Sequence, residues 1–330
     1  MSLCGKSRNA RDRRLVLSVP MRPFMIVALF VPAVACGGDD GPGDGDGGGG
    51  GDSDADGLDG PQDARMSTDD AGTMAPGSLR LYGTGKNGID RAEIQIDPHV
   101  PADVGAGTFT IELWIRRDPL ATLVPGPCSA TGNGWIAGNV ILDRDVRGTA
   151  VNGEFGLSLV GGKLAFGLTR GGQSAGICGT ATVPSGWNHV AITRDSSSGA
   201  IVVYLQGVVD GTVTGPTGDL SYANGVQGDP KDPFLVVGAE KFDLGGQHPA
   251  FSGWVDELRL STTVRYTAAF DPAIAPFDVD ADTAALYHFD DGDGANLGEV
   301  RGMSPGQIRV GLDDNGSTVP TWASATPFLI

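Results

Sequence analysis

The sequence predicts an all-β fold, an antiparallel two-sheet sandwich that occupies residues 78–330. Short runs of alternating apolar and polar residues recur along this region. Clusters of Gly, Pro, Asn and Asp separate the runs, which is the pattern of strands joined by turns. No stretch of twelve residues shows helical periodicity, and the runs lack the spacing of βαβ units. A parallel sheet is therefore not expected.

The strand signals follow one another at short intervals. The clearest starts at Phe109, where every second residue up to Ile115 is apolar, so one face of this strand is expected in the core. The pair Gly161-Gly162 marks a turn between two runs. A short turn of helix is expected only at 263–270. The predicted strands are 78–82, 91–96, 108–117, 135–143, 154–160, 163–169, 187–194, 200–206, 234–238, 251–261 and 285–290.

Charge is distributed unevenly along the 330 residues. The formal net charge is -17, of which residues 1–36 carry +5, residues 37–77 carry -10 and residues 78–330 carry -12. Such an acidic chain disfavours nucleic acid as a partner, because that affinity comes mostly from Lys and Arg side chains that meet phosphates. The same charge disfavours docking on an anionic membrane face.

Residues 1–35 are predicted to be a secretory leader. Thirteen apolar residues, 23–35, follow a basic region, and this length is below the roughly 20 residues that span a bilayer. The sequence AVAC at 33–36 resembles the bacterial lipobox, although Ala stands where that motif prefers Leu. The resemblance implies lipidation of Cys36 and, with Gly rather than Asp next, an outer membrane lipoprotein of the bacterial envelope. Met21 is an alternative start, and an ordinary buried or disulfide-bonded Cys36 is the alternative reading.

Residues 36–77 are predicted to be a disordered stalk after the lipidated cysteine. Residues 37–77 contain fourteen Gly and eleven Asp with almost no apolar side chains, so they cannot bury enough surface to offset the entropy of ordering. The chain therefore divides into a leader at 1–35, a stalk at 36–77 and one globular domain at 78–330.

Cys128 and Cys178 are predicted to form a disulfide. Both fall in predicted loops, and an exported chain meets an oxidising compartment. Cys4 and Cys36 lie outside the globular domain, so the two cysteines inside it are each other's only partners there. Two free thiols are the alternative.

Several blocks of residues 78–330 resemble the concanavalin A-like, laminin-G-like domains of bacterial surface proteins. They are FTIELWIRRD, GWNHVAITRD, IVVYLQGVVDGT, FSGWVDELRLSTTVRYTAAFDP and ALYHFDDGDG, in the family's order. The resemblance implies a jelly roll whose two sheets pack through apolar inner faces. It also implies calcium as the commonest ion, with Asn87, Asp90 and Asp256 as candidate ligands. A hard cation needs several such oxygens to converge; the alternative is that Asp256 bonds a neighbouring loop.

Catalysis is not expected from these residues. Glycosidases of this fold place two carboxylates at alternate positions of one strand, so that both flank a glycosidic bond about 5 Å apart. Asp256 and Glu257 are adjacent and are expected on opposite faces, while Glu112 stands alone. His189 is expected to be a structural, hydrogen-bonded histidine. Trp135 is the candidate for stacking on a sugar, with a position at the edge of the core as the alternative.

The combined expectation is a lipid-anchored envelope protein that presents one non-catalytic jelly-roll domain on an acidic stalk. Its expected partner is a glycan or an envelope or extracellular protein. Two alternatives stay open: a glycan-active hydrolase whose site the sequence does not reveal, and a purely structural envelope component.

Overall fold

The computed structural model describes residues 76–85, 89–146, 153–222, 233–241, 248–309 and 318–328. All of them belong to one unit of the chain, Ser67–Ile330. The predictions for the leader, Cys36 and residues 37–75 of the stalk concern residues outside this set. Among the residues described, no helix is both long and apolar enough to cross a membrane.

Sixteen strands in the described part of the chain form two antiparallel sheets of eight, which confirms the predicted all-β sandwich. Sheet A contains β1 Ser78–Tyr82, β3 Phe109–Arg117, β8 Trp187–Arg194, β9 Ala200–Leu205, β10 Val208–Thr214, β12 Ser252–Ser261, β13 Thr283–Tyr287 and β16 Thr321–Ala323. Its spatial order is β10-β9-β8-β3-β12-β1-β16, and β13 also pairs with β12.

Sheet B contains the other eight strands. They are β2 Ala92–Gln95, β4 Asn139–Asp143, β5 Glu154–Val160, β6 Lys163–Arg170, β7 Gln173–Thr182, β11 Phe234–Val237, β14 Asn296–Leu297 and β15 Gly306–Ile308. Their spatial order is β14-β15-β2-β11-β4-β5-β6-β7. Strands distant in sequence are neighbours in both sheets, and half of the strand pairs join strands that are not consecutive in the chain.

The core lies between the inner faces of the two sheets. In β3 the alternating residues from Phe109 to Ile115 are all buried there, as the sequence predicts. The opposite face of β3 is also buried, because the segment 262–280, the cover segment, packs over it. Thr110 donates a hydrogen bond to the Thr263 carbonyl at 2.6 Å, and Trp114 packs with Phe277. The cover segment contains no helix, so the turn of helix predicted at 263–270 is wrong.

The Cys128–Cys178 disulfide is present, which confirms the predicted pairing. Cys178 lies in β7, however, and not in a loop. The sequence did not reveal this strand, because QSAGICGTAT is rich in small residues and has only one large apolar side chain. The predicted strand 135–143 is divided into a 3-10 helix, Gly134–Ala137, and β4.

A row of three glycines lets the loop before β4 lie flat on the outer face of sheet B. Gly156, Gly167 and Gly176 are directly paired across β5, β6 and β7. A Cβ atom at Gly167 would lie 2.2 Å from the Gly132 carbonyl oxygen, and one at Gly156 would lie 2.3 Å from the Trp135 ring. The glycines therefore supply the space that the loop occupies, and the disulfide ties this loop to β7.

Candidate functional site

A row of alternating arginine and tryptophan side chains crosses the outer face of sheet A. Arg80 of β1 is paired with Trp254 of β12. Trp254 is paired with Arg116 of β3, and Arg116 with Trp187 of β8. Directly paired residues of antiparallel strands project to the same face, so these four side chains, the Arg–Trp row, lie side by side. All four side chains are partly exposed at the surface of the sheet, Arg80 the least clearly, since its side chain is mostly buried.

Guanidinium groups stack on the central indole of this row. The guanidinium carbons of Arg80 and Arg116 lie 4.3 Å and 4.7 Å from the centroid of the Trp254 ring. They approach from the strands on either side of β12. Each such contact contributes about 0.5–1 kcal/mol at an exposed site. The stack fixes the arginine side chains and leaves their N–H donors as the polar groups of the row.

Arg80 is further fixed by groups at the ends of β12 and β3. It forms an ion pair with Asp118, and both side chains are mostly buried. It donates a hydrogen bond to the Gly253 carbonyl at 3.1 Å. Its guanidinium carbon also lies 4.7 Å from the Tyr82 ring centroid. Asp118 therefore neutralises Arg80, and the rings of Tyr82 and Trp254 fix the orientation of its guanidinium group.

A groove of about 600 Å³ opens beside Arg80, where β1 and β12 of sheet A meet the start of β4 in sheet B. Small-molecule sites have volumes of about 300–1,000 Å³. The Tyr82 hydroxyl, hydrogen-bonded to Thr321 Oγ1 at 2.9 Å, lies along it, and the segment 120–125 forms the opposite wall. Leu120 on this wall is 91% exposed. The groove thus combines a charged pair, hydroxyl groups and an apolar wall.

Asn139 holds the wall of the groove in place. Its Oδ1 accepts a hydrogen bond from the Val124 amide at 3.0 Å. Its Nδ2 donates to the carbonyls of Thr122 and Ala250, both at 3.2 Å. Asn139 is buried at the start of β4, so a strand of sheet B positions the wall that faces Arg80 of sheet A.

Glu112 and His189 form a buried polar network on the same face of sheet A, under the cover segment. His189 Nε2 lies 3.1 Å from Glu112 Oε2, which confirms His189 as a hydrogen-bonded structural histidine. Glu112 also accepts hydrogen bonds from Tyr266 at 2.7 Å and Arg259 at 2.9 Å. Burial raises the pKa of Glu112, but these hydrogen bonds and positive charges outweigh it and bring the pKa below its ordinary value. Glu112 is fully enclosed, so this ionised carboxylate is structural.

The candidate metal ligands do not come together. Asn87 lies outside the described residues. Both carboxylate oxygens of Asp90 accept hydrogen bonds from the Tyr82 amide, at 2.9 and 3.0 Å. Asp90 thus lies at the C-terminal end of β1. Asp256 lies near the opposite end of this strand, because the preceding residue, Val255, pairs with Leu79. At about 3.3 Å per residue the two carboxylates are on the order of 10 Å apart or more.

No group of three or more His, Cys, Asp or Glu side chains that could hold a metal occurs among the described residues. Asp90 instead closes the turn after β1. The structure therefore corrects the proposed ligand set, in which Asp90 and Asp256 would share one ion. Calcium binding itself stays a prediction.

Asp256 and Glu257 lie at a β-bulge in β12, and Glu257 has a φ of 53°. The prediction that they point to opposite faces is wrong, because a bulge changes the alternation of side chains. Glu257 accepts a hydrogen bond from the Phe277 amide at 2.7 Å on the outer side of sheet A. Burial, together with the charges of Glu257 and Asp290, raises the pKa of Asp256 to about 9. Asp256 and Glu257 are both almost fully buried, so a substrate does not reach them.

A second carboxylate pair was not evident from the sequence. Burial, together with the neighbouring carboxyl group of Asp145, raises the pKa of Glu154 at the start of β5 to about 8. Neither residue lines the groove beside Arg80, so this pair lies outside the candidate site.

The prediction that Trp135 stacks on a sugar is wrong. Trp135 is 1% exposed and packs on Gly156, with Val140, Val160 and Ala165 around it. The alternative reading, a tryptophan at the edge of the core, is the correct one.

Sequence alternation places Arg80 and Tyr82 on the outer face of β1. Only the register shows which side chains stand beside them.

Two packed antiparallel sheets with a polar groove where they meet define a lectin-like β-sandwich. The chain belongs to the concanavalin A-like lectin/glucanases superfamily, and the Laminin_G_3 family model matches residues 90–268. This match confirms the resemblance drawn from the sequence blocks. No curated protein matches the chain.

Three solved structures illustrate the similarity. A candidate carbohydrate binding protein from Bacteroides ovatus is 16% identical, with a TM-score of 0.48; the match covers 78% of this chain and 62% of that protein. The Ruminococcus gnavus IT-sialidase CBM40 bound to α2,3-sialyllactose is 11% identical, with a TM-score of 0.40 and coverage of 57% and 91%. The SAP-like pentraxin of Limulus polyphemus is 16% identical, with a TM-score of 0.38 and coverage of 59% and 79%.

Proposed function

We propose that this protein is a non-catalytic, glycan-binding protein of the bacterial envelope, and that its binding site is the groove beside Arg80. The observation that carries the proposal is the groove itself, with its fixed Arg80–Asp118 pair, hydroxyl groups and apolar wall. Sugars present hydroxyl groups at their edges and apolar patches on their faces. A site of this composition and volume suits them.

Two observations support a binding role over hydrolysis. Asp118 is the one carboxylate that lines the described groove, and it is paired with Arg80. Glycoside hydrolysis uses two carboxyl groups with separate roles. Asp145 and Glu154, the other close carboxylate pair, do not line this groove.

We propose that Cys36 carries the lipid that holds the protein in the outer membrane, and that residues 37–77 form the stalk. Multiple acyl chains anchor a protein stably where one chain is marginal. Cells labelled with radioactive palmitate test this directly. Wild-type protein should carry label, and the Cys36→Ser variant should carry none. An unlabelled wild-type protein would contradict the anchor and leave the glycan site untouched.

A glycan array with the full chain carrying Cys36→Ser tests the binding site. Thr122→Trp should abolish binding, because Thr122 is exposed on the groove wall and the indole would fill the groove. Thr212→Trp is the matched control, since Thr212 is exposed on β10, away from the groove. No bound glycan, or equal binding by the two variants, would reject the site. Release of reducing ends from a bound glycan would favour the hydrolase.

A further inference from the structure

We infer that the glycan carries an anionic group, a carboxylate or a sulfate, which Arg116 of the Arg–Trp row binds. This inference rests on the proposed function and names the ligand class for the same site. It starts from a difference between Arg116 and the other arginines. Within the described chain, the Arg116 guanidinium has no ion pair and no hydrogen bond to a protein acceptor. It stacks on the Trp254 ring.

The other arginines among the residues that the structure describes have partners. Arg144 pairs with Asp103, Arg259 with Glu112, Arg265 with Asp280 and Arg309 with Glu93. Others donate hydrogen bonds to carbonyl oxygens, as Arg194 and Arg301 do. The chain has 40 acidic residues against 23 basic ones. Among the described arginines, Arg116 is the one whose guanidinium has neither an ion pair nor a hydrogen bond to the protein, which marks a place where an anion from outside would be favoured.

The stack on Trp254 prepares Arg116 for such an anion. A guanidinium is planar, and its N–H groups lie in that plane as a fork that fits the two oxygens of a carboxylate or sulfate. Packing against the indole covers one face of the guanidinium and leaves the N–H edge for hydrogen bonds. The side-chain entropy that binding would otherwise cost is therefore partly lost already in the folded protein.

Arg116 is placed to act together with the groove. Arg80 belongs both to the groove and to the Arg–Trp row, so the two are continuous. Arg116 stands two strands from Arg80, which is about 10 Å at the usual strand spacing. A saccharide longer than one ring that lies in the groove can therefore place an anionic substituent at Arg116.

A saccharide fits this position better than an anionic membrane. Residues 78–330 carry a net charge of -12, which opposes approach to an extended anionic surface. A single anionic substituent on a soluble glycan meets mainly the local charges. Asp118 neutralises Arg80, whereas Arg116 has no acidic partner among the described residues.

Paired probes test the inference with the full chain carrying Cys36→Ser. Each carboxylated oligosaccharide is compared with its carboxyl-reduced, neutral counterpart, and each sulfated one with its desulfated form. Wild-type protein should bind the anionic member at least about tenfold more tightly, because a charge-assisted hydrogen bond is lost with the anion. Arg116→Gln should remove this preference while binding to the neutral members is unchanged. The pair of probes that shows the larger difference in affinity indicates whether the bound anion is a carboxylate or a sulfate.

Lys163→Gln is the matched control, since Lys163 is an exposed cation of β6 in sheet B. It should keep the preference, and Arg116→Lys should keep it in part. Thermal unfolding of each variant checks that the fold is intact. Equal binding of anionic and neutral partners would overturn the inference and leave glycan binding in place. A preference retained by Arg116→Gln, or tighter binding to anionic lipid vesicles than to any glycan, would also overturn it. No glycan binding at all would reject the proposed function.

Discussion

The indole of Trp135 lies directly on the backbone of Gly156, and a Cβ atom at that glycine would be 2.3 Å from the ring. Gly156 continues as a row with Gly167 and Gly176 across three paired strands. The loop that contains Trp135 occupies the space that three side chains would fill. Close contact of this loop with sheet B therefore depends on residues that have no side chain.

Gly156→Ala should destabilise the protein by about 1–3 kcal/mol, because overpacking forces the Trp135 ring to move. Urea unfolding followed by tryptophan fluorescence measures the change in the free energy of unfolding. Gly186→Ala is the matched control, since a Cβ there has nothing within 4 Å. Equal effects of the two substitutions would show that Trp135 does not depend on the space at Gly156.

Loss of the disulfide should lower the free energy of unfolding by about 4 kcal/mol, as the chain-entropy estimate gives for residues separated by 50 positions. The Cys128→Ser, Cys178→Ser double variant tests this in urea unfolding. Wild-type protein in reducing agent should show the same loss, and the double variant should not respond to the reagent. A double variant as stable as the wild type would contradict the estimate.

Asp256→Asn should stabilise the protein increasingly as the pH rises. Folded Asp256 keeps its proton up to about pH 9, since burial raises its pKa, whereas the unfolded chain releases the proton near pH 4. Between these values each rise in pH favours the unfolded wild type. The gain from the substitution should be larger at pH 8 than at pH 5, by up to about 4 kcal/mol.

Thermal melts at pH 5 and pH 8 check the effect at Asp256. The control is Asp271→Asn, at an exposed carboxylate of the cover segment, which should shift the two melts equally. The neighbouring groups Glu257, His288 and Asp290 are unchanged in both proteins. A constant difference between Asp256→Asn and wild type across this range would contradict a raised pKa.

Asn139→Ala should weaken glycan binding, because Asn139 holds the wall of the groove in place. The substitution leaves the Val124 amide and two carbonyls without their partner, which costs about 1–3 kcal/mol for each buried group that stays unpaired. The wall of the groove should then lose its fixed position. Affinity should fall in titration calorimetry, and stability should fall in urea. Unchanged affinity with lowered stability would show that the wall does not contribute to binding.

Local pattern was sufficient for most strands. Alternation depends on neighbouring residues, so the bounds 154–160 and 187–194 match β5 and β8 as predicted. The strand β7 was missed because its glycines and alanines give no apolar period. The bulge at Glu257 was missed because a positive φ in a non-glycine residue leaves no mark in the sequence. Residues 263–270 form no helix and lie over the outer face of β3 instead.

The sequence by itself determined the all-β class, the family and the cysteine pair, since these follow from periodicity, ordered blocks and the number of cysteines in the domain. The site was decided by tertiary structure alone. Arg80, Arg116 and Trp254 lie far apart in the chain, and register brings them together. Register depends on pairing between distant strands, and a shift of one residue would turn each side chain to the other face. The same packing buried Trp135 and separated Asp90 from Asp256.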